Sequence, residues 1–219
     1  MTNEDLYREA YRSHLADDDI RALRLLRQCA RRGLPLAIGM LGHYYLTGKG
    51  LSRPNYKSAV RNLRKAVNLG VVDALPDLAW CAFWGRGMRR NRHRAVELYA
   101  DAIMKGVEGG VDGLFDIGSA FLKGDRIRQD FKAAFYVYKC LAVIGNVDAM
   151  YNVAWAYDTG NGVEPDKKSA AEWYRKAIKK GCRDALYNLS LLYEQGTGVR
   201  RNRAMAKRLR AAYESYAQE

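Results

Sequence analysis

Apolar and small residues recur along this chain at helical spacing, and the helices they predict recur in turn. Residues 149–160 read AMYNVAWAYDTG, and residues 185–196 read ALYNLSLLYEQG, with Ala, Tyr, Asn, Tyr and Gly in register. In the first stretch Val153, Ala154 and Tyr157 fall on one side of a helix, the 3–4 spacing of an amphipathic element. The next segment, KSAAEWYRKAIKKG, puts Ala170, Trp173, Tyr174 and Ala177 on one face and closes on a glycine, a helix-stop signal. Two helices and a turn therefore form one unit.

The unit repeats. A small residue opens it at Ala37, Ala74, Gly113, Ala149 and Ala185, and a glycine follows at Gly48, Gly85, Gly124, Gly160 and Gly196. A second glycine stands at Gly50, Gly87, Gly162 and Gly198, with Arg126 in its place in the third unit. The G-x-G permits positive φ where the first helix ends. The next mark, Asn55, Asn91, Asp130, Asp166 or Asn202, suits the N-cap of the second helix. Small residues five positions after each opener (Gly42, Ala79, Gly118, Ala154, Ser190) let the paired helices approach closely, and a large side chain there would overpack at about 1–3 kcal/mol.

The predicted architecture is one all-α domain of roughly twelve helices, a right-handed α-solenoid of units of about 36 residues. An N-terminal capping helix pair takes 1–35. The repeats follow at 36–72, 73–111, 112–147, 148–183 and 184–219, the last including a C-terminal capping helix. Extra residues in GVEGGVD lengthen the turn between the second and third repeats, where a change of superhelical twist is expected.

AMYNVAWAYDTGNGVEPDKKSAAEWYRKAIKKG, with MLGHYYLTGKGL nearer the N-terminus, resembles the Sel-1-like repeat family over about residues 20–217. Its units read A-xx-x-L-G-xx-Y-xx-G-x-G-V-xx-D-xx-K-A-xx-W-Y-xx-A-xx-G. Ala82, Arg126 and the Asn62–Leu63 pair depart from that pattern. The resemblance implies an α-solenoid related to tetratricopeptide arrays, serving as a scaffold or adaptor for other proteins, mostly without catalysis. Some exported members carry a disulfide in every unit and are linked to β-lactam binding, a role that a chain without two cysteines per unit does not inherit.

Subtracting this framework leaves a stripe on the first helices. Its candidate groove residues are Met40, His43, Asp77, Trp80, Trp84, Asp116, Ser119, Lys123, Asn152, Trp155, Asn188 and Leu191. Tryptophans dominate interface energetics, and the amides of Asn152 and Asn188 suit a bound peptide backbone. The competing expectation is that the tryptophans are core.

Charge changes the picture further. The net charge is +13, and arginines collect in the loops: Arg86, Arg89, Arg90, Arg92 and Arg94, then Arg126 and Arg128, then Arg200, Arg201 and Arg203. A basic ridge of this kind favours a partner acidic in part, with nucleic acid, bound through phosphates, as the alternative. Nothing in the sequence interleaves aromatic platforms with that edge, which weighs against single-stranded nucleic acid.

Cys29, Cys81, Cys140 and Cys182 and three histidines are dispersed, so neither a metal site nor a disulfide framework is expected. The acids at Asp77 and Asp116 occupy equivalent offsets, but no nucleophile elbow, phosphate loop or cofactor motif accompanies them. The expectation is a non-catalytic binding protein, with an inhibitor or immunity role as a variant. An N-terminus rich in acids, with no apolar leader and no membrane-length run, makes the cytoplasm the expected compartment.

Overall fold

The computed structural model of the protein describes residues 2–124 and 127–215. Among them are twelve α-helices, one short 3-10 turn and no strand. The first unit, Met1–Gly113, contains α1 (Asn3–Leu15), α2 (Asp19–Arg31), α3 (Pro35–Thr47), α4 (Tyr56–Asn68), α5 (Leu75–Trp84) and α6 (Arg92–Met104). The second, Leu114–Glu219, holds most of α7 (Gly110–Lys123), then α8 (Phe131–Val143), α9 (Val147–Thr159), α10 (Lys167–Lys179), α11 (Asp184–Gln195) and α12 (Arg203–Ser215). The division falls just after the lengthened turn. In the first unit α1 to α6 pack in chain order, each helix on the next, and in the second α8 to α12 do the same. That is the nearest-neighbour arrangement of a repeat array.

The turn within each repeat is fixed by one capping residue acting twice. Side chains of Asn55, Asn91, Asp130, Asp166 and Asn202 accept from backbone N–H groups in the first turn of the second helix, at 2.9–3.1 Å. Their own N–H groups donate back into the first helix, to the carbonyls of Tyr45, Ala82, Phe121, Tyr157 and Tyr193, at 2.7–2.9 Å. Because the acceptor is backbone, the clasp forms equally over Tyr, Ala or Phe. At the far end Val71, Val107, Asn146 and Cys182 donate to Ala66, Ala102, Leu141 and Ala177 across the closing glycine, the Schellman arrangement.

The second glycine of each G-x-G does more than turn the chain. A Cβ on Gly162 would lie 2.1 Å from the Phe131 carbonyl oxygen, and one on Gly87 2.1 Å from that of Tyr56. Each glycine loop thus seats on the first residue of the preceding repeat's second helix. Arg126, the exception, lies outside the described residues. The small residues five positions after each opener sit where helices approach most closely, since a Cβ on Gly42 would meet Leu63 at 2.8 Å and one on Gly118 Tyr138 at 2.9 Å. Ala79, Ala154 and Ser190 at the same offset are fully buried.

Three first helices start one or two residues before the opener, and the other two differ. Pro76 has no N–H to give, and Val72–Ala74 form a 3-10 turn ahead of a short α5. Helix α7 begins early, at Gly110, and its opener is glycine because a Cβ on Gly113 would lie 2.1 Å from the ring of buried Tyr99.

The N-terminal pair is a working cap. Thr2 and Asp5 form a capping box on α1, and Leu6 and Ala10 bury against α2 and α3. The Tyr44 hydroxyl donates to Asp19 at 3.0 Å, so His14 Nδ1, 2.9 Å away, must donate to it, and three helices share one polar contact.

Gly162→Ala and Gly181→Ala separate the two demands made of glycine. Gly181 has φ +96° but open space around its Cβ, so its replacement should cost only the left-handed strain, about 1 kcal/mol. At Gly162 a backbone carbonyl must also move, and the loss should be at least about twice as large. Equal losses in urea unfolding would mean that the carbonyl contact does not hold the repeats.

Candidate functional site

The candidate groove residues divide between the two units. In the first, His43 on α3 and Asp77 on α5 meet: Nδ1–H donates to the Asp77 carboxylate at 2.8 Å, joining the first helices of successive repeats. This hydrogen bond is the main reason the His43 pKa stands above its ordinary 6.5. Burial opposes it, the Asp77 charge adds to it, and Lys49 works against it. Met40 lies beside the pair, and α1 supplies Tyr7 and Tyr11 to the same hollow.

The three tryptophans are not core. Trp80 is 36 % exposed; Trp84 and Trp155 are half-buried, with Trp84 edge-to-face on Phe83 at 4.9 Å. Trp80 leans towards the loop edge, its ring 6.4 Å from that of Tyr56, over which the Arg86 guanidinium sits at 5.3 Å. Groove and ridge therefore meet at Trp80, Tyr56 and Arg86.

In the second unit Asn188 donates to the Tyr151 hydroxyl at 3.1 Å, tying α11 to α9, and Asn152 donates to Asp148 within its own helix. Both amides thus already have a partner in the protein. Ser119 hydrogen-bonds Tyr138, whose hydroxyl burial pushes up to about 12. Asp116 and Lys123 are exposed, and Leu191 is half-buried.

Along the ridge Arg86, Arg89, Arg90, Arg94, Arg128, Arg200, Arg201 and Arg203 are exposed, and Arg92 is half-buried with its guanidinium 5.9 Å from the Phe83 ring. Arg94 pairs with Glu97 at 2.8 Å, and Arg201 donates to the Glu194 carbonyl. Arg126 lies outside the described residues. The expectation that no aromatic is interleaved with this edge is overturned. Tyr56 stands beside Arg86, Tyr45 accepts from Arg27 at 3.2 Å, and Tyr193 accepts from Arg175 at 3.1 Å. Each tyrosine is matched by a cation from a neighbouring helix or loop, a pairing across repeats that a linear reading misses. Two basic cavities open along the edge. One, of about 700 Å³, is lined by Arg27, Tyr45, Arg53 and Lys57; the other, of about 570 Å³, by Lys168, Arg175, Tyr193 and Arg200.

Cys29 and Cys81 are buried, Cys140 is exposed and Cys182 half-buried; all four are free thiols. Burial pushes the Cys81 thiol up to about 12, which keeps it inert. No group of three His, Cys, Asp or Glu among the described residues is arranged to hold a metal ion. No helix among them is long and apolar enough to cross a membrane.

The Sel1 repeat model matches residues 35–71, 72–107, 111–142, 147–182 and 183–209. The chain belongs to the Sel1 repeat family. Among solved structures this Sel1 array is similar to a protective antigen of uropathogenic Escherichia coli strains displaying an SLR fold. The identity is 25%, the TM-score 0.66, and the match covers 98% of this chain and 46% of that one. The array thus spans about half the length of that antigen. It is also similar to a Sel1 repeat protein from Oxalobacter formigenes, at 22% identity and TM-score 0.63, over 95% of this chain and 84% of the other. No curated protein matches it. The family assignment fixes the fold class as an all-α solenoid of helix–turn–helix repeats.

The His43–Asp77 bond gives a signed pH dependence. A raised folded-state pKa means that protonated His43 favours the fold below pH 6.5, and that this contribution fades as pH rises through the raised value. An NMR titration of the His43 imidazole should give a midpoint above 6.5, and Asp77→Asn should lower it. An unchanged midpoint in that variant would show the bond to be absent in solution.

Proposed function

We propose that this Sel1 array is a non-catalytic scaffold whose first-helix faces hold a segment of a partner protein. One observation carries the reading. In the first unit, Tyr11, Leu36 and Trp80 are 47 %, 50 % and 36 % exposed on three successive first helices, α1, α3 and α5. The packing of the repeats uses other faces of those helices, so these large apolar groups are left to a partner, and exposed apolar patches of this kind mark interaction sites. Met40, His43, Asp77 and Trp84 complete the surface there. Asp116, Ser119, Lys123, Asn152, Trp155, Asn188 and Leu191 are the corresponding residues of the second unit. An inhibitor or immunity role is the same reading with a toxin or effector as occupant. The four free thiols fit a reducing, cytoplasmic setting.

A second reading has its own observation. Tyr56 under the Arg86 guanidinium supplies the aromatic–cation pairing that single-stranded nucleic acid uses. Here the exposed loop arginines would carry phosphate contacts, and the first-helix faces would be bystanders. An acidic partner protein would engage the same arginines through rate rather than stacking.

Affinity capture from lysate, split by nuclease treatment and by salt, separates the two. Trp80→Ala with Trp155→Ala should leave helical content intact and abolish capture of a nuclease-resistant protein, since a central tryptophan contributes about 2 kcal/mol or more. Arg89→Glu with Arg90→Glu should slow that capture without abolishing it. Capture lost on nuclease treatment, falling steeply with salt and indifferent to the tryptophan changes, would instead establish the nucleic-acid reading.

A further inference from the structure

A small hollow in the first unit has a character opposite to that of the chain as a whole. It opens between α1, α3 and the 3-10 turn leading into α5, with a volume of about 280 Å³. Tyr7, Tyr11 and Met40 wall it, and Asp73, Asp77 and His43 supply its polar groups. In a protein of net charge +13, no lysine or arginine lines this cavity. Its two carboxylates, Asp73 and Asp77, outnumber its one imidazole, His43, and a predominantly negative concavity with low-dielectric walls draws in positive charge. The ligand it selects is therefore a cation.

Size and chemistry narrow the choice. At the bottom of the roughly 300–1,000 Å³ range of drug-sized ligand pockets, this one suits a single side chain or a group of similar size. A metal ion is disfavoured because no three ligating side chains converge among the described residues. Aromatic faces attract organic cations within about 6 Å of the ring centre. A planar guanidinium stacks on such a face while its N–H fork reaches carboxylates, a combination that an ammonium lacks. Burial, and then neighbouring groups that include Asp73, push the Tyr7 hydroxyl upward, so this ring stays a neutral phenol close to a carboxylate. Asp73 is exposed, and Asp77 is held in place by His43.

We propose that this cavity takes one basic side chain, an arginine, from an extended segment of the partner protein, its guanidinium against Tyr7 and Tyr11 and its N–H groups on Asp73 and Asp77. The proposal rests on the reading that the first-helix faces bind a partner, and it names the anchor that partner presents. A basic anchor in the hollow and an acidic stretch along the arginine-rich edge would fix which way the segment runs.

The test uses the full chain and blocked peptides, acetyl-Ala-Ala-Arg-Ala-Ala-amide against the same peptide with citrulline, lysine or glutamate at the centre, followed by NMR. The arginine peptide should shift resonances of Tyr7, Tyr11, His43 and Asp73 with a dissociation constant on the order of 1 mM. Citrulline, which keeps the shape and loses the charge, should bind about tenfold more weakly or worse, with lysine in between. Asp73→Asn and Tyr11→Ala, both changes at exposed positions, should each weaken arginine binding severalfold at unchanged helical content. Equal binding of arginine and citrulline, preference for glutamate, or shifts confined to other residues would overturn the proposal. Concentration-dependent self-association that Asp73→Asn abolishes would do so as well, by making the occupant an arginine of a second copy. Loss of peptide binding with tryptophan-dependent capture intact would remove this anchor and leave the scaffold reading standing. The reverse pattern would keep the cavity's chemistry and remove the scaffold.

Discussion

A backbone carbonyl that must be approached by a residue without a side chain sets the stacking of the repeats within each unit. The oxygens of Asp19, Tyr56, Phe131 and Lys167, each at the start of a second helix, lie so near the glycine loop of the following repeat that a Cβ would sit 2.1–2.5 Å away. Such a contact tolerates no sliding, because close-packed backbone leaves no room for compromise. In the four repeats that carry it, the glycine fixes where the loop lies on the previous helix pair. The Asn or Asp clasp then fixes where the second helix starts, and the closing glycine fixes where it ends. Contacts between sequence neighbours, repeated, suffice for the stack.

That economy leaves much of each helix surface uncommitted. The framework uses the opener, the small residue five positions on and the face of the second helix that bears Ala170 and Tyr174 or their equivalents, nearly all of them buried, with Gly113 and Arg210 half-buried. What remains follows no repeat rule: a His–Asp pair between α3 and α5, an Asn–Tyr tether between α9 and α11, tyrosine–cation pairs along the loop edge. The groove and the ridge, separable on paper, share Tyr56 and Trp80 as a border. In the first unit the two surfaces are therefore contiguous.

What was legible in the sequence was local or periodic. The caps at Asn55 to Asn202, the positive-φ glycines and the close approach at Gly42 and Gly118 each depend on residues at fixed offsets, and all take the places expected of them. The 3-10 turn before α5 answers to no repeat mark and was not legible. Contacts between repeats were not legible, because they join one offset of a unit to a different offset of the next. His43 to Asp77 joins the sixth position to the third, and Asn188 to Tyr151 the third to the second. Once that geometry is known, a table of offsets read across neighbouring units would have found the His–Asp pair. Exposure of the tryptophans was beyond any pattern, since helical period says which face a residue is on and not how far the adjoining helix shields it.

The clasp has an evolutionary corollary. Its acceptor is a main-chain oxygen under Tyr45, Ala82, Phe121, Tyr157 or Tyr193, so three residue types already occupy one structural position without altering the bond. The bond itself is blind to that side chain, but packing is not everywhere so: Ala82 and Phe121 are buried in the core, whereas Tyr45, Tyr157 and Tyr193 are half-buried and reach the surface. Where the side chain is only half-buried, as at Tyr45 and Tyr193, a single substitution can change the loop edge while leaving the clasp intact.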